Sequence, residues 1–293
     1  MEEKNDKIDL AALMDIQVDG IIQLTEKEFQ LISSLVYEKF GINLTEKKKA
    51  LVRGRLHSLL RAKGYTSFKQ YYEAIVNDES GRGLLSLVDR ISTNHSYFFR
   101  EADHFDFLRS QILPEIRANL NAKVDKDFRI WCAGCAAGEE PYTVAMVLDD
   151  YFGREFASFD IRMLATDISE TVLEQAMAAA YPEQKIAGVP KKFNKYLVKT
   201  QDNQYSVVDY LKKRILFKSL NLMRETYPFK GQFDIVFCRN VMIYFDQQTR
   251  KNLLRKFHRY TKPGGHLFIG HSETLGRDTN LFHYVKPTIY RRV

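Results

Sequence analysis

From about residue 106 to the C-terminus, short apolar segments alternate with longer amphipathic ones. The apolar segments are typical of buried strands, and they read DFRIWCAG, DIRMLATDI, ILFKSL, FDIVFCRNV and GGHLFIG. Several are followed by a segment whose apolar residues recur at helical spacing. Because a connection between parallel strands has to cross over the sheet, this alternation predicts a mostly parallel sheet with helices on both faces. We therefore predict a doubly wound α/β domain over residues 106–293.

The residues before this domain follow a different pattern. Residues 21–90 contain segments of helical period separated by glycine or serine, which predict an all-α domain. The first segment starts with Thr25 and Glu28, spaced as the two members of a capping box. Residues 1–20 are polar and carry no strong pattern, so we expect a loosely ordered tail. Residues 91–105 then link the two domains.

Composition excludes several classes of protein. The 293 residues are 45% hydrophobic, enough for a sizeable core, but no apolar run approaches the roughly 20 residues of a membrane helix. The N-terminus lacks the order of a signal peptide, so we expect a cytoplasmic protein without membrane insertion. Cys132 and Cys135 form an isolated C-x-x-C, which is a weak signal for a zinc or redox role, and we predict no metal. The net charge of +7 favours an acidic partner, either nucleic acid or an acidic protein surface.

The first turn of the predicted sheet, WCAGCAAGEEP, lies where doubly wound domains bind their ligands. Gly134 and Gly138 permit close backbone approach, although a tight structural turn would use the same residues. Glu139 and Glu140 at the helix start would repel a pyrophosphate and suit a cationic cofactor. Asp167 ends the second strand, where a carboxylate can accept hydrogen bonds from both ribose hydroxyls. These features favour a nucleoside without phosphates, namely S-adenosylmethionine.

Further polar residues follow the later strands. Asn240 comes after FDIVFC, with Val241 beside it and Tyr244 about one helical turn further on. Asn221 and Leu222 follow ILFKSL and could frame an adenine ring. Either asparagine alone is most simply a turn residue. Four strand ends with suitable residues predict a binding site at that edge of the sheet.

The segment STNHSYFFRE between the domains combines hydrogen-bonding side chains with aromatic ones. Taken alone, it is consistent with a helix N-terminus capped by Asn94 or Ser96. Together with AGEEPYTVAM, FDIVFCRNVMIYFD and GGHLFIGHSETL, it resembles the CheR-type chemotaxis receptor methyltransferases, which are protein-glutamate O-methyltransferases. The resemblance covers nearly the whole chain from Leu24 onward.

This resemblance implies a Rossmann-like class I S-adenosylmethionine-dependent methyltransferase domain with an N-terminal all-α domain. It also implies a small antiparallel β subdomain inserted at about residues 191–213. The linker would fold over the cofactor, and the cofactor-binding residues implied are Asn94, Ser96, Arg100, Glu139, Asp167, Asn221, Leu222, Asn240 and Val241. Arg100 and Tyr244 would be the catalytic residues, and S-adenosylhomocysteine would be a product.

The implied substrates are glutamates on the cytoplasmic helices of chemoreceptors, with the enzyme recruited to receptor arrays and monomeric. For substrate recognition we assign the basic residues of the second helical segment, Lys49, Arg53, Arg55 and Arg61. A solvated helix face would carry the same charges.

A methyltransferase of nucleic acid is the main enzymatic alternative, but NVMIYF lacks the N-P-P-Y type of turn that stacks a flipped base. The other alternative is a noncatalytic S-adenosylmethionine sensor that only binds receptors; it would have lost Arg100 or Asn240, and both residues are present. Some relatives hold a receptor peptide through a glycine-containing hairpin, whereas KTQDNQ has no glycine.

Overall fold

The computed structural model describes residues 22–122, 127–275 and 280–293. The predicted tail, residues 1–20, lies outside the described residues. An all-α domain comes first in the described chain and an α/β domain follows, in the predicted order.

The helices of the N-terminal domain bury one face each against a common core. They are α1 Glu26–Phe40, α2 Lys49–Ala62, α3 Phe68–Val76 and α4 Arg82–Ile91. The predicted capping box at the start of α1 is confirmed, since the Thr25 hydroxyl accepts the Glu28 amide and the Glu28 carboxylate accepts the Thr25 amide. Gly41 ends α1 in the left-handed conformation, with φ of 69°.

A bridging helical segment connects the linker to the sheet. It consists of α5 Asp103–Phe107, a π-helical turn over Leu108–Ile112 and α6 Leu113–Ala122. Phe105, Leu108 and Ile112 are buried in the core of the second domain. The aromatic start of this segment is therefore anchored where the linker meets the sheet.

The strands, in chain order, are β1 Asp127–Ala133, β2 Asp160–Asp167, β3 Ala180–Pro182, β4 Leu197–Lys199, β5 Gln204–Val207, β6 Ile215–Ser219, β7 Phe233–Cys238, β8 Thr261–Ile269, β9 Phe282–Lys286 and β10 Ile289–Arg292. The helices between them are α7 Glu139–Phe152, α8 Glu170–Ala178, α9 Glu183–Ile186, α10 Asp209–Lys212 and α11 Gln247–Tyr260.

The main sheet has the strand order β6-β2-β1-β7-β8-β10-β9. The neighbouring pairs from β6 to β8 are parallel, which confirms the doubly wound prediction, and β10 and β9 close the edge in antiparallel pairing. Alternate residues of β1 enter separate cores: Ile130 and Cys132 pack in one, Trp131 and Ala133 in the other. Both faces are therefore covered.

The small antiparallel sheet predicted from the family resemblance is present, with the order β3-β5-β4. It lies in the chain between α8 and β6. Its first strand, at Ala180–Pro182, comes before the predicted range of 191–213. Tyr181 in that strand is buried and donates its hydroxyl to the Ala137 carbonyl at 2.7 Å, so the subdomain is joined to the first turn of the main sheet.

The packing of α2 predicts that replacing either of two leucines on this helix by alanine lowers the free energy of unfolding, but by different amounts. Leu56 is fully buried, whereas Leu51 is 40% exposed. We expect Leu56→Ala to lower the free energy of unfolding of the helical domain by about 2–5 kcal/mol, because it removes apolar contacts and leaves a cavity. The matched variant Leu51→Ala should cost less than about 0.5 kcal/mol. Urea denaturation followed by circular dichroism measures both, and equal costs would contradict this packing.

Candidate active site

A cavity of about 340 Å³ opens at the carboxyl ends of the parallel strands. The strand ends supply its floor, and the linker between the domains supplies one wall. Phe40 and Ile42 of the helical domain also line it. The volume is in the range of small-molecule sites, and the position beside the first strand-to-helix turn is typical of ligand binding in doubly wound folds.

The first turn uses its own amides to hold the end of β2. Gly134 and Cys135 donate to the Thr166 carbonyl at 2.7 and 2.9 Å, and Ala136 donates to Asp167 Oδ2 at 2.9 Å. These three amides are therefore not free to bind a phosphate. This arrangement agrees with the prediction of a ligand without a pyrophosphate.

Gly134 has a steric role in this turn. Its φ of 83° lies in the left-handed region, and a Cβ at this position would collide with the side chain of Val241. The first turn and the end of β7 can therefore come together only with glycine here.

Asp167 lies at the end of β2 and is 8% exposed. Its Oδ1 accepts the Ser169 amide at 3.0 Å, and its Oδ2 accepts that of Ala136. Burial raises the pKa of Asp167, although these backbone hydrogen bonds oppose the shift. The carboxylate lines the cavity, and each oxygen has a further lone pair that can accept a ligand hydroxyl.

A buried ion cluster lies at the wall of the cavity, and sequence analysis did not predict it. Arg239, at the end of β7, is 6% exposed. Its Nη2 donates to Glu101 Oε2 at 3.0 Å and its Nη1 to Glu140 Oε2 at 3.1 Å. The guanidinium also donates to the Arg100 carbonyl. The cluster therefore joins the linker, the start of α7 and the end of β7.

The pKa values of the two carboxyl groups in this cluster are shifted in opposite directions from their usual value. Burial raises the pKa of Glu101, but the charge of Arg239 and hydrogen bonds from His271 and Asn240 outweigh it, so the pKa lies below its usual value. For Glu140, burial outweighs Arg239 and the pKa is raised. Glu101 is thus the firmly ionised partner of the guanidinium.

Asn240 adopts a left-handed conformation with φ of 60°, which asparagine tolerates better than most residues. Its amide donates to Glu273 Oε2 at 3.0 Å, and its side chain donates to Glu101 Oε1 at 3.3 Å. Glu273 also accepts the amides of Gly270 and Ile243. One buried carboxylate therefore fixes the loops that follow β7 and β8.

The two predicted catalytic residues both line the cavity. Arg100 Nη1 donates to the His95 carbonyl at 2.9 Å, and its guanidinium lies 5.7 Å from the ring centre of Tyr97. The Tyr244 hydroxyl lies 3.5 Å from the Thr93 carbonyl. Both side chains thus rest against the linker.

The structure brings most predicted cofactor contacts to this cavity. Those that line it are Asn94, Ser96, Arg100, Asp167, Asn221, Leu222, Asn240 and Val241. Glu139 is placed elsewhere: its side chain is fully buried and accepts a hydrogen bond from Lys185 at 2.7 Å. Glu140, the next residue, lines the cavity. The sequence pattern could not show which of the two glutamates faces the cavity, because it does not determine how α7 is rotated about its own axis.

The four predicted recognition residues lie on α2 and differ in their surroundings. Lys49 is paired with Glu26 at 2.7 Å. Arg53 makes one long hydrogen bond of 3.4 Å to Gln23, and Arg61 is exposed. Arg55 is instead turned to the end of α4 and the linker, where it donates to main-chain carbonyls. Only part of the predicted basic surface is therefore available to a partner.

Glu101, His104 and His271 have possible metal-ligand atoms within 4.8 Å of one another. Arg239 already donates to Glu101 Oε2, so the Glu101 carboxylate that a metal would need has the positive charge of the guanidinium beside it. His104 is fully buried, and burial, with the charge of Arg239, lowers its pKa to about 4. The charges of these residues are therefore balanced without a metal ion. That the protein has no metal stays a prediction.

Among the described residues, no helix combines the length and the apolar character needed to cross a membrane.

The sequence matches two family models that together cover most of the chain. Residues 27–92 match the CheR methyltransferase all-alpha domain, and residues 94–291 match the CheR methyltransferase SAM binding domain. The boundary between the matches falls at the start of the linker.

Curated relatives agree with these matches. The chain is 47% identical to a chemotaxis protein methyltransferase of Borreliella burgdorferi over 92% of its length and 96% of the relative. It is 36% identical to a probable chemotaxis protein methyltransferase of Rhizobium etli, over 88% of this chain and 96% of that one. It is 33% identical to the chemotaxis protein methyltransferase of Escherichia coli, over 94% of both chains. The resemblance noted in the sequence is thus confirmed, and the chain belongs to the CheR methyltransferase family.

Proposed function

We propose that this enzyme transfers a methyl group from S-adenosylmethionine to glutamate side chains on the cytoplasmic helices of chemoreceptors. One observation carries the proposal: Asn94 and Arg100 of the linker meet Asp167 and Asn240 of the strand ends around a single cavity. The family match supports the methyl donor, and the names of the relatives support a role in chemotaxis.

The cavity residues fit the cofactor. The carboxylate of Asp167 suits the two ribose hydroxyls, and Leu220 and Leu222 offer apolar surface for the adenine ring. The carboxyl groups of Asp167 and Glu140 suit the positive sulfonium, whereas they would repel phosphates. S-adenosylmethionine supplies an electrophilic methyl group when it is bound.

The remaining steps depend on positioning. A glutamate carboxylate, with a usual pKa of about 4.3, is ionised at neutral pH, so the chain needs no general base. Arg100 has a planar guanidinium that can hold one carboxylate oxygen or the carboxylate of the cofactor. Tyr244 can orient the target through its hydroxyl. The linker forms one wall of the cavity and would shield the reacting groups from water, which would strengthen these polar contacts. The products are a glutamyl methyl ester and S-adenosylhomocysteine.

The basic α2 helix would face the acidic receptor. Arg53 and Arg61 are exposed and are best placed to attract rows of glutamates on a receptor helix. We further propose that the enzyme acts in the cytoplasm as a monomer recruited to receptor arrays.

Asp167→Asn should weaken the binding of S-adenosylhomocysteine by about 10-fold or more, because hydrogen bonds from hydroxyls to a charged acceptor are weakened. Asp160→Asn is the matched control, since Asp160 begins the same strand and pairs with Arg129 and Arg162 away from the cavity. Isothermal titration calorimetry measures both. Equal affinities in the two variants would move the ribose away from Asp167.

The function itself is tested with labelled S-adenosylmethionine and membranes that contain the organism's own receptors, followed by peptide mapping. Label should appear on receptor glutamates as a base-labile ester. Label on nucleic acid, or no label on receptors, would overturn the proposed substrate.

Arg100→Ala should lower turnover about 100-fold even at saturating cofactor, because the proposed role of Arg100 lies beside the reacting groups. Full recovery of the variant at high cofactor would make Arg100 a binding residue only.

Reversal of the exposed α2 charges in Arg53→Glu/Arg61→Glu should raise the receptor KM about 10-fold and leave the KM for S-adenosylmethionine unchanged, because only receptor attraction is lost. Wild-type methylation should also weaken as salt rises, since exposed charges are screened beyond about 8 Å at physiological ionic strength. A normal receptor KM in the variant, together with activity insensitive to salt, would place the docking surface elsewhere.

A further inference from the structure

The linker wall of the cavity, residues 92–100, lies between the helical domain and the small β subdomain. It contains no regular helix or strand, so its shape depends on contacts to other parts of the chain. Two basic side chains, one from each neighbouring unit, bind its main-chain carbonyls. They are Arg55 of α2 and Lys185 of α9.

Arg55 holds the start of the linker. Its Nη1 donates to the carbonyls of Ile91 at 2.6 Å and Ser92 at 2.9 Å, and its Nη2 donates to Thr93 Oγ1 at 3.0 Å. Ile91 is the last residue of α4, and a cation at a helix C-terminus is favourable. Arg55 therefore fixes the direction in which the chain leaves the helical domain.

Lys185 holds the linker further along. Its Nζ donates to the Ser96 carbonyl at 2.7 Å and to Glu139 Oε1 at 2.7 Å. The Glu139 side chain is fully buried, so it fixes the ammonium group in one place. A single lysine thus joins the small β subdomain, the start of α7 and the linker.

Aromatic contacts reinforce the second anchor. The ring of Phe98 lies 4.9 Å from that of Tyr181 in an edge-to-face arrangement, and the ring of Phe99 lies 4.6 Å from that of Phe193. Tyr181 is in β3, and Phe193 lies in the turn between α9 and β4. The linker therefore packs on the β subdomain by apolar contact as well as by hydrogen bonds.

We propose that Arg55 and Lys185 are positioning residues that hold the linker in its cofactor-binding shape. Asn94, which lines the cavity, lies between the two anchors, and Ser96, which also lines it, is held at the second anchor. Loss of either anchor leaves the linker free to move away from the cavity, so bound cofactor has to order it again. The affinity for cofactor thus depends on two units outside the main sheet, the helical domain and the small β subdomain.

This assignment replaces the receptor-recognition role that the sequence suggested for Arg55. Both of its terminal nitrogens already donate hydrogen bonds within the chain. Contact with a receptor glutamate would compete with the bonds that hold the linker. Arg53, two residues earlier on the same helix, has no contact of this kind among those found in the described chain.

The test is calorimetry of S-adenosylhomocysteine binding to the full chain, and it rests on the proposed cofactor site. Arg55→Ala and Lys185→Met should each raise the Kd about 10-fold, as expected for the loss of charge-assisted hydrogen bonds. Arg55→Lys keeps the charge but cannot span both carbonyls and the Thr93 hydroxyl, so its Kd should rise less. Arg53→Ala is the matched control on the same helix and should bind like the wild type. Hydrogen exchange of the amides of residues 93–98 should be faster in both anchor variants and should slow again with ligand.

Several outcomes would overturn the inference. A role in folding alone would lower the melting temperature of Arg55→Ala and Lys185→Met but leave the Kd unchanged. A raised receptor KM in Arg55→Ala with an unchanged Kd would return this residue to receptor recognition. Failure of the wild-type protein to bind S-adenosylhomocysteine would overturn the cofactor site itself, and the anchors with it.

Discussion

The guanidinium of Arg239 is nearly excluded from water, and its charge is balanced by Glu101 and Glu140, which come from different parts of the chain. Removing one partner from such a buried group typically costs about 3–5 kcal/mol, because the remaining charge stays unpaired. The geometry of the site follows from this contact. Arg239 directly follows the β7 strand and also donates a hydrogen bond to the Arg100 carbonyl, so the last part of the linker is fixed relative to the sheet.

Three basic side chains from different parts of the chain hold the linker in its shape. Arg239 holds its end, Arg55 its start and Lys185 its middle. Phe99 and Glu101 adopt left-handed conformations, with φ of 57° and 56°, which are unfavourable for such side chains. Strain of this kind persists where the surroundings determine the backbone. A segment without regular structure thus becomes a fixed wall of the cavity, and its polar groups are placed before a ligand arrives.

The basic character of the chain is used in two ways. Arg239, Arg55 and Lys185 use their charges within the molecule, on buried carboxylates and main-chain carbonyls. Arg53 and Arg61 lie on the surface, where their charges can act on a partner. The net charge of +7 alone predicted an acidic partner but could not divide the residues between these roles. The division depends on which face of α2 packs against α4, since Arg55 lies on the side that meets the end of that helix.

Local pattern and spacing were enough to predict the order of the two domains, the capping box of Thr25 and Glu28, the parallel sheet and the residues at its strand ends. These features depend on residues close together in sequence, or on the rule that parallel strands end at one edge of the sheet. The ion pairs of Arg239 could not be predicted, because its partners lie 138 and 99 residues away. For the same reason the sequence could not show that Glu139 turns to Lys185 while Glu140 faces the cavity, or that Arg55 binds the linker. Sequence alone determined the fold class, the family and the edge of the sheet at which the cavity opens; tertiary packing decided which charged groups meet there, because burial makes each of them require a partner.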